Sequence, residues 1–144
     1  MKKIILITII FSSSLVFSQE KEVQKTIEDF FVALNSKDTV AIKKEFYKDV
    51  IVQTIYNTKS GNQLKTDIFN DFLVSISMIP TEVVIEEKIL SYKIEVDGIL
   101  AHVWTPYEFY VDGKLSHKGV NSFTLFKEST DWQIIHIIDT RRRN

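Results

Sequence analysis

The apolar positions of this chain change their spacing about halfway along, and that change organises the fold. In residues 20–35, Val23, Ile27, Phe30, Phe31 and Leu34 recur every three or four positions with Lys, Glu and Gln between them. That is the pattern of an amphipathic helix with one buried stripe. Ser36-Lys37-Asp38 interrupts it, and Ser36 or Asp38 can cap a second short helix over 39–46 carrying Val40, Ile42 and Phe46. Residues 49–56 are rich in β-branched side chains and predict a strand. After the turn at Ser60-Gly61-Asn62, the spacing of Leu64, Ile68, Phe69, Phe72, Leu73 and Ile76 predicts a third helix over 64–76, ending before Pro80. Alternation then takes over. Residues 82–96 predict one long strand with room for a bulge, followed by strands over 100–111, 115–127 and 132–140. Asp97-Gly98 and Asp112-Gly113 are two-residue hairpin signals, because both central positions of a type I′ turn need positive φ. Helices first and an antiparallel meander after predict an α+β fold, with the helices on one face of a curved sheet.

Composition narrows the classes of function. The 144 residues suffice for one domain with a real core. Residues 1–18, MKKIILITIIFSSSLVFS, combine two lysines, a short apolar run and a small residue before Gln19, the pattern of a cleaved signal peptide. The competing reading is a retained anchor, but the apolar run is short for a membrane span of about 20 residues. Residues 19–144 then form a single mature domain, periplasmic or secreted and not held in a membrane. There is no cysteine, hence no disulfide, no thiolate chemistry and no lipobox. A net charge of −1 gives no basic field for nucleic acid. Four glycines with no Gly-rich loop, and three histidines without helical spacing, predict no nucleotide cofactor and no metal.

The hairpin around Asp112-Gly113 carries the candidate chemistry. With those two as turn residues, Glu108 falls opposite His117, Trp104 opposite Asn121, and His102 opposite Phe123, all on one face. Val103, Thr105, Tyr107 and Phe109 take the other face. A bulge at Pro106, which cannot donate to the ladder, would exchange the faces of the residues before it. The last strand should lie beside 115–127, and one register puts Asp139 near Gly119, on the face of His117 and Asn121. A carboxylate, an imidazole, an amide and an indole then share one concave wall.

The stretch from Ala101 to Tyr110, then Asp112-Gly113-Lys114, Ser116 to Phe123, and Asp139-Thr140-Arg141-Arg142 resembles the nuclear transport factor 2-like superfamily. Within it the chain is similar to a bacterial group often labelled lumazine-binding. The resemblance implies a cone of three helices on a strongly bent, mostly antiparallel sheet, open at one end to a pocket. It implies little about activity, since that superfamily includes isomerases, dehydratases, cyclases and non-catalytic binders.

These residues support three functional readings. The favoured one is a binding domain for a small apolar or aromatic molecule, lined by Trp104, Tyr107, Glu108, His117, Asn121, Phe123 and Asp139. A homodimer through the outer sheet face accompanies it. The second is a proton-transfer enzyme with Glu108, His117 or Asp139 as base, and Asn121 or Tyr107 stabilising an oxyanion. The third is a scaffold with a filled cone. Each residue also has a structural reading. Glu108 with His117 can be a cross-strand pair worth a few tenths to about 1 kcal/mol. Trp104 and Tyr107 can be core, and Asp139 can pair with Arg141 or Lys118. The run Arg141-Arg142-Arg143 can be a solvated end, or Arg141 can close the pocket.

Overall fold

The computed structural model describes residues 2–142, with side chains from Ser18 onward. The signal-peptide reading and Arg143 therefore lie outside the described residues or side chains. In chain order the elements are α1 (Lys2–Asn35), α2 (Thr39–Lys44), β1 (Phe46–Thr58), β2 (Gly61–Asp67), α3 (Phe69–Ser77), β3 (Ile85–Ile89), β4 (Lys93–Asp97), β5 (Leu100–Val111), β6 (Lys114–Glu128) and β7 (Asp131–Arg141). The strands form one seven-stranded sheet in the order β2-β1-β7-β6-β5-β3, with β4 also on β5. β1 and β7 run parallel and the other pairs antiparallel, so the curved sheet is mixed. This is the α+β architecture that the change of period predicts.

α1 lays Val23, Ile27, Phe30, Phe31 and Leu34 on the sheet, while Val32 on its far side is exposed. It ends in a left-handed residue, Lys37, at φ 59°. The Lys37 amide bonds the Leu34 carbonyl and the Asp38 amide bonds the Ala33 carbonyl, the two bonds of a Schellman stop. Asp38 then starts α2, its Oδ1 accepting from the amides of Val40 and Ala41 at 3.1 and 2.9 Å. The core centres on Phe30, whose ring meets Phe46 and Phe123 edge-on at 5.2 and 5.9 Å.

Several local expectations give way. α2 stops at Lys44, and Phe46 begins β1. Residues 64–67 belong to β2, an edge strand paired with β1, and α3 starts only at Phe69. Leu64 and Ile68 have helical spacing but stay exposed, so no core contact enforces a helix there. The stretch 82–96 is two strands, because β3 and β4 pair with different halves of β5. Asp97 pairs with Leu100, which makes Gly98-Ile99 the loop, with positive φ at Gly98 alone. Asp112-Gly113 is the predicted turn, with φ of 49° and 72°.

The bulge that matters lies at Ser116. Val111 pairs with Lys114 and Tyr110 with Leu115, but Phe109 pairs with His117. Ser116 is the extra residue, and beyond it the faces of β5 are reversed relative to the expectation. Tyr107, Thr105 and Val103 point inward; Glu108, Trp104 and His102 point outward.

Candidate functional site

A cavity of about 530 Å³ opens between the inner face of the sheet, α1 and α3. Phe30, Leu34 and Phe46 belong both to the core and to its wall, so the cavity begins where the core ends. Phe72 and Ile76 of α3 form another apolar side. The hydrogen-bonded polar cluster lies along β7, β6, β5 and β3, and β1, β2 and α3 add Gln53, Thr54, Lys65, Asp67, Asp71 and Ser75 to the lining.

Asp139 is the best-tied of them. It is buried, its Oδ1 accepts from Thr54 Oγ1 at 2.6 Å, and its Oδ2 accepts from Tyr107 Oη at 3.1 Å and Arg141 Nε at 2.8 Å. Tyr107 Oη also donates to the Thr140 carbonyl at 3.0 Å. Burial, then the negative charges of Asp139 and Glu87, raise the Tyr107 phenol well above its ordinary range, so it stays a neutral donor. The ring reaches Asp139 by crossing Gly119, its register partner. A Cβ there would collide with the Thr140 carbonyl and sit 2.6 Å from the Tyr107 ring. Glycine at this position is what lets the phenol in.

Asn121 lies directly opposite Asp139 in the β6–β7 register, two residues from the expected partner Gly119. Its Nδ2 donates to Glu87 Oε1 at 2.7 Å. Glu87 is the residue that the sequence reasoning missed. Its amide is held by Asn35 Oδ1 at 2.8 Å, which ties β3 to the end of α1. Burial, reinforced by Asp139 and opposed by the Asn121 bond and Arg141, raises its carboxyl to about 7. A signal for it exists in the pattern Ile85-Glu86-Glu87-Lys88-Ile89. Alternation places Glu87 between two inward apolar residues, a charged group in a buried stripe.

The other candidates separate into three groups. Tyr107, Asn121 and Asp139 line the cavity. His117 also lines it, stacked on Phe109 at 4.9 Å with its Nδ1 3.2 Å from Ser116 Oγ. Trp104, Glu108 and Phe123 do not. Trp104 is 44% exposed on the outer face, turned there by the bulge at Ser116. Glu108 also points outward, bonded to Lys118 at 2.8 Å and Tyr110 at 2.7 Å. These two bonds, Lys118's first, lower its carboxyl. The Glu108–His117 pair is not formed, because His117 faces Phe109. Phe123 is fully buried against Phe30 and Phe31, and His102 sits outside against Ser122 Oγ at 3.0 Å. Asp139 pairs with Arg141, which lines the cavity.

No protein-family model and no curated protein matches the chain. Solved structures do. A conserved protein from Planctomyces limnophilus matches with TM-score 0.70 at 14% identity, over 89% of this chain and 99% of that one. A nuclear transport factor 2-like protein of unknown function from Shewanella baltica matches with TM-score 0.65 at 11% identity, over 89% and 97%. A proposed dehydratase of the nuclear transport factor 2-like family from Streptomyces avermitilis matches with TM-score 0.68 at 12% identity, over 88% and 98%. The chain has the nuclear transport factor 2-like fold. At these identities the likeness is one of fold. The lumazine-binding label finds no support in these matches. In this nuclear transport factor 2-like cone Glu87, Asn121, Tyr107, Asp139 and Arg141 converge at one side of the cavity, facing the apolar Phe72 and Ile76.

Proposed function

We propose that the protein is a small-molecule-binding domain, exported by the leader at residues 1–18, whose ligand enters the cone with its polar end toward Glu87, Asn121 and Asp139. One observation carries this reading: a cavity of about 530 Å³ joins an apolar wall to hydrogen-bonding groups held in place from behind. Thr54, Tyr107 and Arg141 fix Asp139, and Asn35 fixes the Glu87 backbone, so little ordering is left for binding. A scaffold with a filled cone has no use for such a hollow. The test is native mass spectrometry of protein exported with its own leader, beside an Ile76→Trp variant that fills the cavity. The expected result is a stoichiometric small-molecule mass, lost in the variant. A clean wild-type spectrum together with no uptake from a mixed apolar library would overturn it.

A second reading, proton-transfer catalysis, is favoured by one group. Glu87, raised to about 7 within the cavity, is poised to give or take a proton near neutrality. Glu87 then takes the acid–base role expected of Glu108 or His117, while Asp139 is occupied as an anchor. That one structural neighbour bears the name of a proposed dehydratase agrees with this reading. Exchange of solvent deuterium into a ketone bound in the cavity, abolished in Glu87→Gln, is its expected signature; no exchange with bound ketone would count against it.

The outer sheet face supports a homodimer. At the middle of the outer face the strands β1, β7, β6 and β5 carry Ile51, Gln53, Ile55; His136, Ile138, Thr140; Val120, Ser122, Thr124; and His102, Trp104, Pro106, an uncharged patch bordered by the Glu108–Lys118 ion pair. An uncharged, partly apolar sheet face suits a self-complementary contact.

A further inference from the structure

We propose that the cavity takes an organic cation, an ammonium on an apolar or aromatic body, seated against the Glu87 carboxylate and the Asn121 amide oxygen. This rests on the pocket reading above and specifies its ligand class.

The first argument is the sign of the lining. Asp67, Asp71, Glu87 and Asp139 contribute carboxyls; Lys65 and Arg141 are the lysine and arginine. Both cations are already matched, Lys65 to Asp67 at 2.6 Å and Arg141 to Asp139 at 2.8 Å. That leaves Glu87 deep in the cavity and Asp71 on α3 without an ion pair among the described residues. An entering cation meets unmatched negative charge; an entering anion does not meet unmatched positive charge.

The second argument is hydrogen-bond polarity. The donors nearest Glu87 and Asp139 are turned onto protein acceptors. Asn121 Nδ2 is on Glu87, Tyr107 Oη is on Asp139 and Thr140, and Thr54 Oγ1 and Arg141 Nε are on Asp139. The second Glu87 oxygen and Asn121 Oδ1 find no donor among the described residues, and both are acceptors when Glu87 is ionised. A ligand that brings donors meets these acceptors, and an ammonium brings up to three. The apolar body has Phe72, Ile76 and Phe109 as walls, and aromatic faces also favour a cation.

The third argument is charge balance. The groups that face Glu87 are Asp139 and Arg141 of β7, Tyr107 of β5, Asn121 and His117 of β6, Lys65 and Asp67 of β2, and Asp71 of α3; α1 supplies the uncharged Asn35. With the two ion pairs in place, Glu87 can be neutralised by a proton or by a cation, and the bound ammonium replaces the proton. The raised carboxyl of Glu87, at about 7, agrees with a site that holds a proton when no cation is present.

The test is calorimetric titration of the full-length mature protein with phenylbutylamine and with its neutral counterpart phenylbutanol, at about pH 6 and about pH 8, where an alkylamine stays charged. Between those values the ionised fraction of a group titrating near 7 rises from about a tenth to about nine-tenths, so the amine should bind about tenfold tighter at the higher pH. Buffers of different ionisation heat should report one proton released near pH 6. Phenylbutanol should show no such rise. Glu87→Gln should abolish the pH dependence and weaken the amine at least about tenfold at the higher pH, with an unchanged circular-dichroism spectrum certifying the fold. Phenylbutanol binding as tightly as the amine, or amine affinity that falls as pH rises, overturns the cation assignment and leaves the pocket reading intact. Failure of both probes to bind overturns both.

Discussion

Glu87 shows how one side chain sets the character of the cavity. Its neighbours Ile85 and Ile89 pull β3 onto the core, and alternation carries the carboxyl inward with them. Burial raises it from 4.5 to about 7, so between those values the folded protein keeps a proton that the unfolded chain has lost. Stability attributable to Glu87 therefore falls as pH rises from about 4.5 to about 7 and levels off above, by at most about 3 kcal/mol. Chemical denaturation of wild type and Glu87→Gln across this window should show the wild type losing ground to the variant as pH rises. Parallel curves would mean a solvated carboxyl. Gly119 is the second decisive residue. Gly119→Ala drives a methyl into the Thr140 carbonyl and the Tyr107 ring, so it should destabilise by about 1–3 kcal/mol, read from the denaturation midpoint. It should also break the Tyr107–Asp139 bond. A neutral Gly119→Ala would mean that the phenol is not packed across the glycine.

The helix α3 differs from α1. α1 buries a full stripe, whereas α3 has no fully buried residue and no side-chain cap at its start, and Ile68 and Met78 at its two ends are exposed. Yet Phe72 and Ile76 wall the cavity. A helix with so little anchoring should open locally at low cost. Hydrogen exchange should find α3 amides the least protected among the helices, with protection rising when a ligand fills the cavity; protection equal to that of α1 in the free protein would contradict this. The elements were legible in the sequence to different depths. α1 and the Asp112-Gly113 turn follow directly from period and from the demand for positive φ. The inward faces of His117 and Asn121 on β6 were legible as well. β5 was read on the wrong face because the bulge sits at Ser116, a position with no chemical mark, and not at Pro106. β2 was hidden because Leu64 and Ile68 mimic helical spacing on an exposed edge. Glu87 was hidden because 82–96 looks like one strand with room for a bulge, and its inward face shows only from the local alternation of Ile85 and Ile89.

Across the whole molecule, the curved sheet separates two surfaces with different tasks. Its inner face holds the core and the cavity, and its outer face presents an uncharged patch on β1, β7, β6 and β5 beside the Glu108–Lys118 pair. If that outer face joins two copies, a charge at its centre must be desolvated without a partner. Ser122→Lys should convert a dimer to a monomer in sedimentation velocity while leaving the fold intact, and Trp104→Ser should weaken the dimer. A monomeric wild type at tens of micromolar would contradict the dimer.

A protonatable carboxyl, Glu87, stands at the head of the cavity, held by Asn121 beside Asp139. The direct measurement is a carbon NMR titration of the glutamate side-chain carboxyls, with Glu87 assigned by its loss in Glu87→Gln. The account predicts a midpoint near 7 that moves down when a cation binds. A midpoint near the ordinary value of 4.5 would place Glu87 in solvent and contradict the site as built here.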